Sequence, residues 1–121
     1  MPSSLEVVEA YMDCWRKRDL SDAPFADRLR YENPLSGEPL EGKHNVIRFL
    51  QAYLPVLQGI AAVRYLSEGE YVATLWEAKT TFGDLKLMIL FRVEEGFITE
   101  MQSFFDPRQM LERMGTHSLG A

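Results

Sequence analysis

A polar loop spanning residues 31–42 contains the residue types that point most directly to chemistry. Within it Asn33 directly precedes Pro34. Such loops often carry binding or catalytic residues, because a rigid scaffold positions them while leaving them open to a ligand. An aspartate before Pro34 would take up protons, whereas the amide of Asn33 only donates and accepts hydrogen bonds. Asn33 therefore either orients a carbonyl or hydroxyl group of a ligand or bonds the nearby backbone, as asparagine before proline often does.

Two other residues have side chains suited to hydrogen bonding or proton transfer. Tyr11 lies in an apolar helical segment, where its hydroxyl is either a donor or acid inside a pocket or a polar tip at the rim of the core. Asp106 precedes Pro107 and is either a buried acid or the N-cap of a last helix. We take Tyr11, Asn33 and Asp106 as the candidate catalytic residues.

The sequence predicts neither a metal site nor a cofactor. The single cysteine, Cys14, excludes a cysteine-rich metal site, and His44 and His117 have no carboxylate partner at local spacing. Neither a glycine-rich phosphate loop nor a Gly-x-Ser-x-Gly nucleophile motif is present in the sequence.

The first half of the chain has helical periodicity around one short strand. Apolar residues at helical spacing predict an amphipathic helix that starts at Ser3 or Ser4 and ends near Arg18. A short helical turn is predicted over residues 19–26, a strand from Arg28 to Glu32, and a second helix from Lys43 to Leu54.

The second half has extended segments separated by turn residues, which predicts an antiparallel meander. The segments run from Ile60 to Leu66, Tyr71 to Phe82, Leu85 to Val93 and Phe97 to Phe105, and a final helix from Arg108 to Met114 follows. Gly83-Asp84 suits a two-residue hairpin turn, which would place Phe82 opposite Leu85. Helices followed by an antiparallel sheet make an α+β fold.

The two faces of this sheet differ in composition. A helix on the concave face of a bent sheet leaves a cavity suited to a small apolar molecule. We expect this ligand pocket to be lined by Trp15, Tyr31, Trp76, Ile89, Phe91, Met101 and Phe105. On the opposite face Leu75, Met88 and Leu90 are interspersed with charged residues, which predicts half of a two-fold interface and hence a homodimer.

Length and charge limit the classes of partner. With 121 residues the chain is expected to form a single domain over residues 1–121. A net charge of -5 argues against nucleic-acid binding, which needs clustered positive charge. No apolar run approaches the ~20 residues that span a membrane, and no signal peptide is recognisable, so a cytoplasmic location is expected.

Three stretches together resemble the NTF2-like superfamily. They are Tyr11–Leu20, then Glu32–Gly42 followed by Val46–Phe49, and finally Gly96–Asp106. This superfamily includes ketosteroid isomerases, SnoaL-like polyketide cyclases, scytalone dehydratase and limonene epoxide hydrolase. The resemblance implies a cone-shaped fold in which N-terminal helices pack on a strongly curved, mixed but mainly antiparallel sheet. It also implies dimerisation through the sheet, which is common in the family.

The resemblance to ketosteroid isomerases is incomplete at the residues that perform their reaction. Tyr11 matches the tyrosine that donates to the oxyanion, but Asn33 stands where the aspartate base is expected. Ile89, or Met88 one residue earlier, stands where a protonated acid would donate. Two hypotheses follow: an isomerase, cyclase, dehydratase or epoxide hydrolase-type enzyme without the ketosteroid isomerase base, or a non-catalytic ligand-binding or dimerisation module.

Overall fold

The computed structural model describes residues 1–108 and 110–112, apart from the side chains of residues 61 and 62. Two helices pack against one open, mixed sheet, which confirms the predicted α+β class. The elements are α1 Ser4–Lys17, β1 Phe25–Glu32, β2 Leu40–Glu41, α2 Lys43–Gln51, β3 Leu57–Glu68, β4 Tyr71–Thr80, β5 Gly83–Glu94 and β6 Phe97–Phe104, with a 3-10 turn at Leu54–Val56 after α2.

Helix α1 begins and ends where its sequence provides caps. Ser3 and Glu6 form a capping box, in which each side chain accepts a hydrogen bond from the other residue's backbone N–H. Arg18 ends the helix in the left-handed conformation, and its guanidinium donates to the carbonyl oxygen of Leu54. This bond ties the end of α1 to the turn that follows α2. Within the described residues, no helix is long and apolar enough to cross a membrane.

The segment after α1 is not helical, so the predicted helical turn over residues 19–26 is wrong. The Asp19 carboxylate accepts hydrogen bonds from the backbone N–H and the hydroxyl of Ser21, which lowers the pKa of Asp19. Side-chain bonds of this kind compete with helix formation. Strand β1 then starts at Phe25, three residues earlier than Arg28, the predicted start.

The six strands form a single sheet in the order β2-β1-β6-β5-β4-β3. Strands β3 to β6 are an antiparallel meander, as predicted, and β1 joins the sheet by running parallel to β6. Register shifts interrupt the β1–β6, β3–β4 and β5–β6 pairs. Bulges of this kind bend strands, so they curve the sheet around α1.

The β4–β5 hairpin turns two residues earlier than the sequence prediction. Thr80 pairs with Gly83, so Thr81 and Phe82 form the turn and Phe82 does not oppose Leu85. The Thr80 hydroxyl stabilises this turn by donating to the carbonyl of Gly83 and accepting from the N–H of Phe82. Gly83 has a φ of 117°, a conformation that side chains with a Cβ disfavour. Because the shift is even, every side chain keeps its predicted face.

The C-terminal segment agrees with the prediction over the residues that the structure describes. Arg108 and residues 110–112 are helical. Met110 is buried, whereas Leu111 is exposed. The remainder of the predicted helix, at residues 109 and 113–114, lies outside the described residues, and so does His117.

The core lies between α1 and the inner face of the sheet. Val8 and Met12 of α1 are fully buried there, together with Phe91 of β5 and Ile98 of β6. Helix α2 packs instead against β1 and β2, at the opposite edge of the sheet from β3. The space between the two helices and the inner face is therefore bounded by aromatic and aliphatic side chains.

A buried hydrogen bond joins the parallel strands β1 and β6. Tyr31 Oη and Ser103 Oγ lie 2.7 Å apart, and both residues are buried. Burial raises the pKa of Tyr31 to about 12, even though the bond to Ser103 acts in the opposite direction. The pair fixes the Tyr31 ring at the edge of the core.

We expect Tyr31→Phe and Ser103→Ala each to lower the free energy of unfolding by about 1–3 kcal/mol, because each leaves a buried hydroxyl without its partner. The double variant should lose clearly less than the sum, since it removes both hydroxyls. Urea unfolding of the four proteins measures the coupling. Strictly additive losses would show that the two hydroxyls do not depend on each other.

Candidate functional site

A cavity of about 100 Å³ lies between α1, α2 and the inner face of the sheet. Its buried lining residues come from both helices, from β1, β3, β4 and β5, and from residue 110, and its partly exposed ones lie mainly in the loop after β1, the chain around the end of α2, the β4–β5 hairpin and the segment after β6. The lining residues are Tyr11, Trp15, Tyr31, Asn33, Leu35, Phe49, Leu50, Tyr53, Val56, Leu57, Trp76, Ala78, Thr80, Leu85, Leu87, Ile89, Phe105 and Met110.

Seven of the ten residues that the sequence proposed for the site line this cavity. They come from α1, three strands and two loop segments, and are Tyr11, Trp15, Tyr31, Asn33, Trp76, Ile89 and Phe105. Tyr11 and Trp15 are four residues apart on α1 and therefore share one face of the helix. Trp76 and Ile89 belong to the inward-facing residues of neighbouring strands.

The other three proposed residues lie elsewhere. Phe91 is in the packed core, where its ring contacts the Tyr11 ring edge-on at 5.4 Å between centroids. Met101 is also buried in the core on β6. Asp106 is exposed, and its carboxylate accepts from the backbone N–H and the guanidinium of Arg108, which lowers its pKa to about 2. Asp106 therefore serves as a cap for the last helical turn, the second of its two predicted roles.

Sequence reasoning missed the contribution of α2 and the chain that follows it. Phe49, Leu50 and Tyr53 close one side of the cavity, and Val56 and Leu57 continue the wall. Helical periodicity over residues 43–54 does predict a buried stripe that includes Phe49, Leu50 and either Tyr53 or Leu54. Only the tertiary structure shows that this stripe faces α1 across a gap.

Aromatic side chains fill most of the space between the two helices and the inner face of the sheet. Trp15 and Trp76 pack edge-to-face with ring centroids 5.9 Å apart, and Phe49 stacks against both Tyr31 and Tyr53. The remaining space of about 100 Å³ is smaller than the ~150 Å³ of an engineered cavity that binds benzene. A ligand of at most one ring therefore suits this space, whereas the four fused rings of a steroid would have to displace the aromatic side chains.

The Asn33 amide is engaged by its own loop. Its Oδ1 accepts hydrogen bonds from the N–H groups of Leu35 and Ser36, at 2.9 and 3.1 Å, and its Nδ2 donates to the Ser36 hydroxyl. This is the loop-structuring role that asparagine before proline often has. Asn33 lines the cavity, but its oxygen is already committed to the backbone.

Two other polar groups of the cavity wall also have internal partners. Tyr31 is bonded to Ser103, and the Trp76 indole N–H donates to the Thr74 hydroxyl at 2.8 Å. Thr74 in turn donates to the carbonyl of Ile89. These bonds fix the orientation of both rings.

Trp15 differs from Trp76 in this respect. Its Nε1 atom is buried and, among the described residues, has no hydrogen-bond partner. The neighbouring Tyr11 hydroxyl is buried as well, and burial raises the pKa of Tyr11 far above its usual value. Tyr31 adds to this rise, whereas the nearby Trp15 side chain opposes it. The hydroxyl of Tyr11 and the indole N–H of Trp15 are thus adjacent at the α1 wall.

The described residues contain no group of three or more histidine, cysteine, aspartate or glutamate side chains placed to hold a metal ion. The chemistry that the described lining residues offer is hydrogen bonding from Tyr11 and Trp15 within an apolar enclosure.

The fold has many structural neighbours. An NTF2-like protein of unknown function from Cytophaga hutchinsonii superposes with a TM-score of 0.79 at 15% identity, covering 92% of this chain and 96% of that one. A steroid delta-isomerase from Pseudomonas aeruginosa has a TM-score of 0.75 at 21% identity, with 98% and 95% covered. A polyketide cyclase-like protein from Pseudomonas putida has a TM-score of 0.78 at 16% identity, with 93% and 98% covered.

At these identities the similarity shows a shared fold, and it confirms the predicted NTF2-like architecture. Among curated proteins, none matches the sequence. One family model does match, over residues 2–117, and it is described as a domain of unknown function, DUF4904. The chain therefore belongs to the DUF4904 family and has the NTF2-like fold.

Proposed function

We propose that the chain binds a small, largely apolar molecule in this cavity and that the Tyr11 hydroxyl donates a hydrogen bond to it. The observation that carries the proposal is a buried, uncharged phenol at the wall of an otherwise apolar space. Apolar pockets with one or two well-placed polar groups are the usual form of small-molecule sites. The polar group supplies orientation and the apolar wall supplies most of the affinity.

The state of Tyr11 supports its role as a donor. Because burial raises its pKa, the phenol keeps its proton throughout the neutral range. Its ring is held between Phe25 at 5.3 Å and Phe91 at 5.4 Å, measured between centroids. The hydroxyl is therefore presented in a fixed direction, so a ligand loses little free energy in ordering it.

Cyclohexanone and methylenecyclohexane test the role of Tyr11, because they have nearly the same shape and only the ketone has an acceptor oxygen. We expect Tyr11→Phe to weaken cyclohexanone binding by about 2- to 12-fold, the equivalent of one net hydrogen bond, and to leave methylenecyclohexane unchanged. A titration with each molecule, monitored by ¹H–¹³C NMR of the Ile89 methyl groups, measures the two dissociation constants.

Tyr71→Phe is the matched control for this experiment, since it removes the same atom from an exposed tyrosine that does not line the cavity. It should change neither constant. A Tyr11→Phe protein that binds both molecules as the parent does would refute the donor role.

Binding should also be independent of pH. The Tyr11 pKa is raised, so its donor proton is fully present below the ordinary tyrosine value of about 10 and is lost only above it. The cyclohexanone dissociation constant should therefore stay the same from about pH 6 to about pH 9. An increase of the constant within this range would show that another titrating group controls the site.

Catalysis of an isomerase or cyclase type is the second candidate, favoured by the names of structural neighbours. An isomerase reaction moves a proton between two carbons of the substrate, and the Asn33 amide is no proton carrier. Conversion of 3-cyclohexenone to its conjugated isomer, followed by ultraviolet absorbance, tests this candidate at a size that suits the cavity. A rate above that of buffer which Tyr11→Phe lowers would support it, and a rate equal to buffer would leave binding as the function.

We further propose that two copies of the chain pair through the outer face of the sheet. Leu75 and Phe104 are 43% and 42% exposed on that face, and Met88 and Leu90 are half-buried between them and charged neighbours. A surface depression of about 630 Å³ is lined by Leu75, Met88 and Phe104 among others. Lys86 and Glu77 lie 3.7 Å apart on the same face, so a two-fold arrangement can oppose unlike charges.

Light scattering after size exclusion at tens of micromolar should give the mass of a dimer. Leu75→Glu should shift the protein towards the monomer, because the interface would bury an unpaired charge. Leu111→Glu is the control, as Leu111 is an exposed leucine outside the sheet, and it should leave the mass unchanged. A monomer in the parent protein would contradict the proposed pairing.

A further inference from the structure

We infer that the Trp15 indole N–H is a second ligand-binding donor, and that with Tyr11 it selects neutral carbonyl compounds of about one ring. This inference rests on the proposed function, because it assigns a ligand class to the same cavity. It assigns a hydrogen-bonding role to Trp15, which the sequence suggested only as a lining residue of the pocket.

The first support is the missing partner of Trp15. Its side chain is only 7% exposed, and Nε1 is buried without a hydrogen bond in the described part of the chain. A buried donor in this state costs about 1–3 kcal/mol of stability. A binding site can keep an unpaired donor of this kind, because a ligand that accepts its hydrogen bond removes the loss of stability.

The second support is the contrast with Trp76. The two indoles pack edge-to-face and line the same cavity, yet Trp76 donates to Thr74 while Trp15 has no acceptor among the described residues. One indole N–H is therefore satisfied internally and the adjacent one is not. Both rings are held by their packing against each other.

The third support is the position of Trp15 relative to Tyr11. The residues are one helical turn apart on α1, and both line the cavity. A ligand oxygen that accepts from Tyr11 thus comes within reach of Trp15 Nε1. Ile89 and Leu87 bound the space on the sheet side and offer only apolar contact.

The two donors define the chemical class of the ligand. A carbonyl oxygen has two lone pairs and can accept both bonds at once, whereas an indole N–H can only donate. An ammonium group or another N–H donor would leave Trp15 unpaired and would itself be buried in an apolar space. With about 100 Å³ available, a cyclic ketone of one ring fits both the chemistry and the volume.

The indole NMR signals report this bond directly, because the chain has only two tryptophans. Trp15→Phe and Trp76→Phe assign the two indole N–H resonances. In the free protein the Trp15 proton should lie upfield of the hydrogen-bonded Trp76 proton. Cyclohexanone should move the Trp15 proton downfield, and methylenecyclohexane should not.

Affinity provides an independent measurement. Trp15→Phe changes the shape of the cavity for both probes, so the informative quantity is the ratio of the two dissociation constants. This preference for the ketone should fall by about 2- to 12-fold in Trp15→Phe and stay unchanged in Phe97→Leu, a substitution at an exposed residue that does not line the cavity.

The outcomes separate the inference from the function on which it rests. If both probes bind but the Trp15 proton stays in place and the ketone preference survives Trp15→Phe, the second donor is refuted and the binding function stands. If neither probe perturbs the Ile89 methyl signals, both are refuted.

Discussion

The packing of one helix face against the inner face of the sheet is the constraint on which the rest of the structure depends. Val8 and Met12 of α1 are completely buried, and Tyr11 between them contacts aromatic rings from β1 and β5. Each such aromatic pair contributes about 0.5–1.5 kcal/mol beyond the burial of its area. The rings that hold α1 on the sheet also hold the Tyr11 hydroxyl in one direction, so the stability of the core and the geometry of the cavity have the same origin.

The cavity exists because α1 and α2 do not meet over the inner face. Helix α2 packs on β1 and β2, while α1 packs across β3 to β6. The guanidinium of Arg18 binds the Leu54 carbonyl and fixes the distance between the end of α1 and the turn after α2. Aromatic side chains from both helices then fill the gap incompletely. A space of about 100 Å³ remains, which limits the ligand more strictly than the shape of the fold does.

The sequence predicted the fold well where periodicity carried the information. The limits of α1, the four-stranded meander and the inward face of β4 and β5 followed from patterns of period 3.6 and 2. The errors occurred where local side-chain bonds decide the backbone. Asp19 forms a turn with Ser21 in place of a helix, and Thr80 fixes the hairpin two residues before Gly83-Asp84. Neither bond has a periodic signature.

The candidate site was predictable to the same extent and for the same reason. Inward-facing residues such as Trp76 and Ile89 follow from alternation, whereas the position of Phe91 below Tyr11 depends on how the rings pack in three dimensions. Whether a polar side chain is free to bind a ligand depends on its partners in space. Asn33 and Trp15 show this in opposite ways, since the amide is engaged by its loop and the indole has no partner.

The different hydrogen-bonding states of Asn33 and Trp15 affect the chemistry of the cavity. The loop before α2 holds an amide in place of an acid and uses its oxygen to shape its own backbone. Tyr11 and Trp15, the residues proposed to bind the ligand, lie instead one turn apart on α1. A rigid helix positions two donors more reproducibly than a loop can, because packing fixes both rings. Under the proposed function, two fixed donors in an apolar enclosure would bind an acceptor oxygen without any change of charge, which favours a neutral ligand.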